Sequence, residues 1–540
     1  MKLPELSPGA EPQFVDAASC KEWLDHVPLA NVAAAQQQLL DEVAEFNRFP
    51  TSAANRLGAM EALREAINFV QIEQAKRFTN RALPMNEAEM RAFQLTADLW
   101  EQMRLGYLRC LQAALGGEPA MQAQAAIICQ RLLAYSGLKM FHAYRAYREV
   151  PGRDWGSLNE VYACAEKLQV AEEPVKDFLN RDVHDTSPRI AYARAVLMGL
   201  CNPNELAQRQ LTFVAFLLER WASKLELSRS PVNEEEGLLP LVADLAAERP
   251  PERMHPGAAA KMADARYLDT RKLAKSIRNR VGLLRKGESP AKLALGEDCV
   301  QPSCEQMLVY LFRQWCQAKP SRAYERRASN VSAQATGDMA SIHEAIGGRA
   351  LRQPVAGAGR ELTQKQRQEL ETLGRIRETS DDTPDGEAFK GEAWEVADES
   401  ANGLRVIRRA ASPGRRYAHG QLIGVRPADA KGFLVGQVRW LMAAENGDLH
   451  AGLKLLPGVP SAVAVRPTGL NVQDQSFLPA LALSALPAAD APASLVVPPG
   501  WFKPKRVIEV HNGGTTARVR LVEVLERGLD YERVTFEAVS

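Results

Sequence analysis

Three arginines in the second half of the sequence are spaced so that they could bind an anion. They lie in RAYERR at 322–327, where three residues separate Arg322 from Arg326 and Arg327 follows directly. A guanidinium group can pair with phosphate oxygens through two parallel hydrogen bonds, and it can stack on a flat ring. Taken alone, the same arginines also suit an exposed basic turn after a helix, where cations complement the helix dipole. The motif therefore indicates an anion site only together with other features.

A second motif, DESANG at 398–403, offers complementary polar groups. Asp398 and Ser400 present hydrogen-bonding oxygens, and Gly403 ends the motif. Asp, Ser, Asn and Gly are all favoured in turns, so a polar β-turn is the simpler interpretation of this motif by itself. The order of the two motifs and of the strands that follow them is more informative than either motif.

That order resembles the PilZ domain over roughly residues 320–460. RAYERR stands before the first predicted C-terminal strand, and DESANG is followed by a hydrophobic strand and then by GQLIGV, GQVRW and AGLKL. The resemblance implies an antiparallel β-barrel that binds cyclic di-GMP on its outer surface. The sequence contains no P-loop, no G-x-S-x-G elbow and no H-E-x-x-H motif, so we expect a receptor without a metal rather than an enzyme.

The resemblance also assigns a role to each motif residue. Asp398 would accept hydrogen bonds from guanine N–H groups, Ser400 would bond a base edge, and Gly403 would permit an unobstructed turn. Cyclic di-GMP carries two phosphodiester charges and two guanine faces, which guanidinium groups can pair with or stack on. By the same resemblance, the arginine motif supplies three guanidinium groups, from Arg322, Arg326 and Arg327. They would close over the ligand and order the junction with the preceding region.

The chain departs from the family pattern in the distance between the two motifs. A polar stretch at about 347–392 intervenes, where a strand and a turn normally suffice. A barrel tolerates a surface insertion because the entropy of loop closure grows slowly, by about 0.6 kcal/mol for each doubling of length. We therefore expect the barrel to form around a solvated insertion.

The remaining elements predict an α+β protein of three domains. Apolar residues recur at helical spacing from about 28 to 318, which predicts an all-α N-terminal region at 1–318. After Lys319-Pro320 short alternating runs predict strands, first in the PilZ-like barrel at 319–460 and then in a further β-rich module at 461–540. A length of 540 residues also exceeds what one hydrophobic core can organise.

The composition excludes some partners and locations. With 67 basic and 66 acidic residues the net charge is +1, which provides no overall attraction to nucleic acid. Prolines and Asp490 interrupt the apolar stretch Phe477–Val497, so we expect no membrane span. The N-terminus lacks the pattern of a secretory signal, and the eight cysteines form no C-x-x-C pair and suit reduced core residues. These features favour a cytoplasmic protein.

Two other functions stay open at this stage. The barrel could have lost its ligand and serve, with the helical region, as a scaffold for an as yet unidentified protein partner. The dipeptide His184-Asp185 occurs in metal phosphohydrolases, but a hydrolase would need several more ligands at matched spacing. The basic segment 271–287 has an apolar stripe, so a packed helix is a better interpretation than a nucleic-acid site.

Overall fold

The computed structural model describes residues 3–232, 238, 241–253, 261–296, 299–317, 326–353, 391–468, 476–512 and 515–539. The chain forms two compact units. The first comprises Met1–Ala323 with Met442–Glu445, and the second comprises Tyr324–Leu441 with Asn446–Ser540.

The first unit is mainly helical. Many of its helices begin at a residue whose side chain accepts a hydrogen bond from a free backbone N–H group, as Asp16, Asn31, Ser52 and Asn86 do. In its described part the helices are α1 (Ala17–Leu24), α2 (Val32–Arg48), α3 (Ala53–Ala75), α4 (Glu87–Leu115), α5 (Pro119–Gln122), α6 (Ala125–Arg145), α7 (Gly152–Lys167), α8 (Pro188–Leu200), α9 (Gln208–Trp221), α10 (Arg271–Arg285) and α11 (Ser303–Trp315).

These helices surround one continuous apolar core. Its largest fully buried side chains include Trp100, Trp221 and Trp315, which come from three different helices. The segment predicted as a basic amphipathic helix is α10, which buries Leu273, Ile277 and other apolar residues in this core. The packed-helix interpretation of this segment is confirmed.

The first unit also contains short strands that the prediction of an all-α region did not include. Helix α9 ends at Trp221, and Leu227 pairs with the buried Leu268 across a small sheet. The α+β class itself is confirmed. The short strands are β1 (Val175–Lys176), β2 (Asp185–Thr186), β3 (Glu226–Ser228), β4 (Leu241–Asp244), β5 (Glu252–Arg253) and β6 (Ala265–Asp269).

The second unit contains two closed six-stranded barrels. The first barrel has the strand order β10-β11-β12-β9-β8-β7, and the second has the order β13-β14-β15-β18-β17-β16. A closed barrel has no edge strand, because the backbone N–H and C=O groups of each strand pair with strands on both sides. The strands are β7 (Arg327–Gly337), β8 (Glu392–Ser400), β9 (Gly403–Arg408), β10 (Leu422–Pro427), β11 (Leu434–Ala443), β12 (Leu449–Leu455), β13 (Pro460–Pro467), β14 (Leu478–Leu483), β15 (Ser494–Val497), β16 (Val507–Asn512), β17 (Thr515–Arg527) and β18 (Glu532–Ala538).

The two barrels share a buried joint. A short helix, α12 (Met339–Gly347), contributes Ile342, which packs with Leu422 and Val435 of the first barrel and with Leu481 of the second. The backbone N–H of Leu422 also donates to a carboxylate oxygen of Asp530 at 2.8 Å. The barrels are therefore connected by packing as well as by the chain.

The structure decides two expectations about the apolar stretch at 477–497 and about the cysteines. The stretch Phe477–Val497 supplies strands β14 and β15, and no helix in the described ranges is long and apolar enough to cross a membrane. The expectation of free thiols throughout is wrong for Cys299 and Cys304, which form a disulfide. The other six cysteines are free, and five of them are buried.

A buried charge network ties three parts of the first unit together. Asp177, which is 4% exposed, accepts hydrogen bonds from Arg64 at 2.5 Å and from Gln130 at 3.1 Å. Arg131 lies 3.5 Å from the same carboxylate and 2.9 Å from Glu61. Burial by itself raises the pKa of Asp177, but the nearby arginine charges outweigh burial and hold that pKa below its usual value.

We expect Asp177→Asn to lower the free energy of unfolding of the helical unit by about 3–5 kcal/mol, because it leaves buried guanidinium charge without its partner. Thermal and urea unfolding followed by circular dichroism measure this loss, with the exposed Asp25→Asn as control. Because the folded pKa of Asp177 is lowered, its contribution is complete above the unfolded pKa of about 4 and is lost as the pH falls further. Acidification below pH 4 should therefore destabilise the wild type more than the variant, and equal loss in both proteins would contradict this assignment.

Candidate functional site

The register of three neighbouring strands brings the two sequence motifs together. In the ladder between β7 and β8, Ala328 is paired with Asp398, and Arg327 is paired with Glu399. Arg326 directly precedes β7. The arginine motif and the DESANG motif therefore meet on one side of the first barrel, as the interpretation of a shared site requires.

The centre of the site is a carboxylate shared by two arginines. Nη1 of Arg326 lies 2.5 Å from Oδ1 of Asp398, and Nε of Arg405 lies 2.5 Å from Oδ2. The Asp398 side chain is 16% exposed, whereas those of Arg326 and Arg405 are 34% and 39% exposed. Two guanidinium cations thus share one anion at a solvent-accessible surface, which leaves positive charge available to an anionic ligand.

The turn between β8 and β9 fixes the other two residues of the motif. Ser400 is paired with Gly403, and its hydroxyl donates to the Gly403 carbonyl oxygen at 3.2 Å. A Cβ atom at Gly403 would lie 2.6 Å from the carbonyl oxygen of Leu453 in β12. The glycine is therefore needed for the close approach of a neighbouring strand, in addition to the predicted unobstructed turn.

Some of the predicted residues lie outside the described residues. This is the case for Arg322. It is also the case for residues 354–390, and these make up most of the predicted polar insertion. The exposed Arg327 is described, and its ladder partner is Glu399.

Sequence reasoning missed Arg405, although the sequence contains the necessary signal. A tight hairpin that pairs Ser400 with Gly403 also pairs Asp398 with Arg405, because antiparallel partners have a constant sum of residue numbers. The alternation of LRVI directs Leu404 and Val406 into the barrel, where both are buried, and leaves Arg405 on the outer face.

An aromatic side chain continues the same row of residues. Gly452 in β12 is the ladder partner of Arg405, and the indole of Trp440 lies so close to Gly452 that a Cβ atom there would overlap it. Neighbouring strands are about 4.8 Å apart, so the distance from β7 across β8 and β9 to β12 is about 14 Å. Basic, acidic, basic and aromatic groups thus follow one another across this part of the barrel.

The dipeptide His184-Asp185 has different surroundings. Asp185 forms an ion pair with Lys176 at 2.5 Å, and the His184 ring lies 5.3 Å from the ring of Phe178. Within the ranges that the structure describes, no three His, Cys, Asp or Glu side chains are grouped so that they could hold a metal ion. The described residues therefore offer the hydrolase hypothesis no support.

Comparison with known proteins shows which families this chain is similar to. Residues 18–232 match the family model described as "Cyclic-di-GMP receptor FimW, N-terminal domain", and residues 463–539 match "FimW C-terminal beta-barrel domain". At both ends, the chain is similar to FimW. A curated Pseudomonas aeruginosa protein named "Cyclic-di-GMP receptor FimW" is 23% identical over 562 aligned positions, which cover 94% of this chain and 88% of that protein.

The FimW matches fall on the helical unit and on the second barrel, which corresponds to strands β13 to β18. They support a cyclic di-GMP receptor family for the chain. They do not name the PilZ domain, so the PilZ-like nature of the first barrel stays a prediction.

We expect Gly403→Ala to destabilise the first barrel by about 1–3 kcal/mol, because β12 must move away from the added methyl group. Thermal unfolding of the full chain measures this change. Gly432→Ala is a suitable control, since no atom lies within 4 Å of a Cβ atom at that position. Equal melting temperatures for the two variants would show that β12 accommodates the methyl group without cost.

Proposed function

We propose that this protein is a cyclic di-GMP-binding signalling effector whose nucleotide site lies on the outer face of the first barrel. The observation that carries the proposal is the Asp398 carboxylate shared by Arg326 and Arg405. It joins the two separate motifs of the PilZ-like pattern at one accessible surface. The similarity to a protein named as a cyclic di-GMP receptor supports the same ligand.

The chemistry of each group suits one part of the ligand. Arg326, together with Arg322 and Arg327, pairs with the phosphodiester oxygens or stacks on a guanine. Asp398 accepts hydrogen bonds from guanine N–H groups, and Ser400 bonds a base edge. Gly403 holds the turn that presents them, and the half-buried ring of Trp440 provides a flat surface for the second base.

The ligand also links the barrel to the helical region in this proposal. Arg322 lies in the sequence between α11 and β7, so a nucleotide held by Arg322 and Arg326 touches this connection as well as the barrel. Such a link transmits a signal only if the nucleotide prefers one arrangement of the two regions. We propose that this preference controls the binding of a protein partner, with no catalytic step and no metal.

Isothermal titration of the full chain with cyclic di-GMP tests the proposal. We expect saturable binding, and we expect Arg326→Ala to weaken it about 10- to 150-fold, because hydrogen bonds to charged groups contribute about 1.5–3 kcal/mol. The exposed Arg520 on the second barrel provides the matched control, and Arg520→Ala should bind like the wild type. A folded wild type that releases no heat would instead favour a scaffold with a degenerate barrel.

Trp440 allows a second test of where the ligand lies. We expect Trp440→Ala to weaken binding about 5- to 150-fold, since stacking of a base on an aromatic ring contributes about 1–3 kcal/mol. Trp440→Phe keeps a flat ring and should retain most of the affinity. If both variants bind as the wild type does, the ligand does not extend to β11 and β12.

A further inference from the structure

The two arginines that share Asp398 are held by the chain in different ways. Arg405 lies within β9 between Leu404 and Val406, whose side chains are 3% and 0% exposed in the barrel. Its ladder partner on one side is Asp398, and its partner on the other side is Gly452. Arg326 instead precedes the first residue of β7. The backbone of Arg405 is therefore fixed on both sides, whereas the backbone of Arg326 lies outside the ladder.

This difference determines which arginine can leave the carboxylate. A pair of partly exposed charges contributes little to stability, so Arg326 can exchange Asp398 for a phosphodiester oxygen at small cost. Arg405 bonds the other carboxylate oxygen, and it keeps that bond when Arg326 moves. The carboxylate then retains a cationic partner and a defined orientation.

We propose that Arg405 is a positioning residue that holds the Asp398 carboxylate toward the guanine edge after Arg326 has turned to the ligand, and that Arg405 thereby determines the preference for guanine. The inference rests on the proposed function and concerns the selectivity of the same site. It assigns Arg405 no contact with the ligand. Its effect on binding depends entirely on Asp398.

The chemistry of the bases gives this role a measurable consequence. Guanine presents two neighbouring donors, its N1–H and its amino group, and a correctly oriented carboxylate accepts from both. Adenine presents one amino donor beside an unprotonated ring nitrogen, which repels a carboxylate. Sites built to hydrogen-bond a donor reject analogues that lack it much more strongly than apolar pockets do. Selectivity between the bases therefore depends on the orientation of Asp398.

Titrations with cyclic di-GMP and cyclic di-AMP measure that selectivity. We expect Arg405→Ala to weaken cyclic di-GMP binding about 10-fold, a loss of about 1.4 kcal/mol, and to reduce the ratio of the two affinities by a similar factor. Arg405→Lys retains the charge and should recover part of the selectivity, although it offers no planar fork of donors. Arg439→Ala, on the exposed side of β11, is the control and should leave both affinities unchanged.

A double-mutant cycle separates positioning from direct contact. If Arg405 acts only through Asp398, Arg405→Ala should have no further effect in an Asp398→Asn background. An undiminished additional loss would overturn the proposal by placing Arg405 in contact with the nucleotide. Thermal melting of each variant verifies that the barrel is folded.

The outcomes distinguish this inference from the proposed function. If the wild type binds neither nucleotide, the proposed function fails. If the wild type binds and Arg326→Ala weakens binding as expected, while Arg405→Ala keeps wild-type affinity and selectivity, only the role of Arg405 is refuted.

Discussion

The hydrogen-bonding register between β7, β8 and β9 is the constraint on which the candidate site depends. It places Asp398 beside the arginine motif on one side and opposite Arg405 on the other. A shift of one residue between strands would turn Asp398 toward the barrel interior, because successive side chains in a strand point to opposite faces. The bulges near Ala328 and Val396 adjust this register locally, and the site forms where they end.

The two units use charge for different purposes. In the helical unit Asp177 is almost inaccessible and has arginine partners that do not reach solvent freely, which suits a fixed structural network. In the barrel the shared carboxylate of Asp398 stays accessible, and both of its arginine partners are more exposed than it is. Only the second arrangement leaves an ion pair that water or a ligand can replace.

Much of the fold could be predicted from local patterns. The helices of the first unit follow from apolar residues at helical spacing between about 28 and 318, and the α+β class follows from the change of pattern after residue 320. The short strands from Glu226 to Asp269 could not be predicted in this way. Their few apolar residues fit a helix end equally well, and they become strands only by pairing with one another over a long distance in sequence, as Leu227 does with Leu268.

The candidate site shows the same limit. The arginine and DESANG motifs could be recognised because each is contiguous, and hairpin geometry could also have identified Arg405. The position of Trp440 could not be predicted. It depends on the close approach of β12 to β9 at Gly403 and of the indole to β12 at Gly452. Contacts between strands that are distant in sequence depend on the three-dimensional closure of the barrel, which no short pattern encodes.

The joint between the barrels has a consequence for how such proteins can vary. Leu422 and Val435 on the first barrel and Leu481 and Val496 on the second are buried in one cluster. Without the second barrel, the first would present these leucine and valine side chains to water. A shortened homologue that kept only the first barrel would have to replace them with polar residues or cover them with another protein. The C-terminal barrel thus permanently covers this face of the barrel that carries the candidate site, and the two barrels should be gained or lost in evolution as one piece.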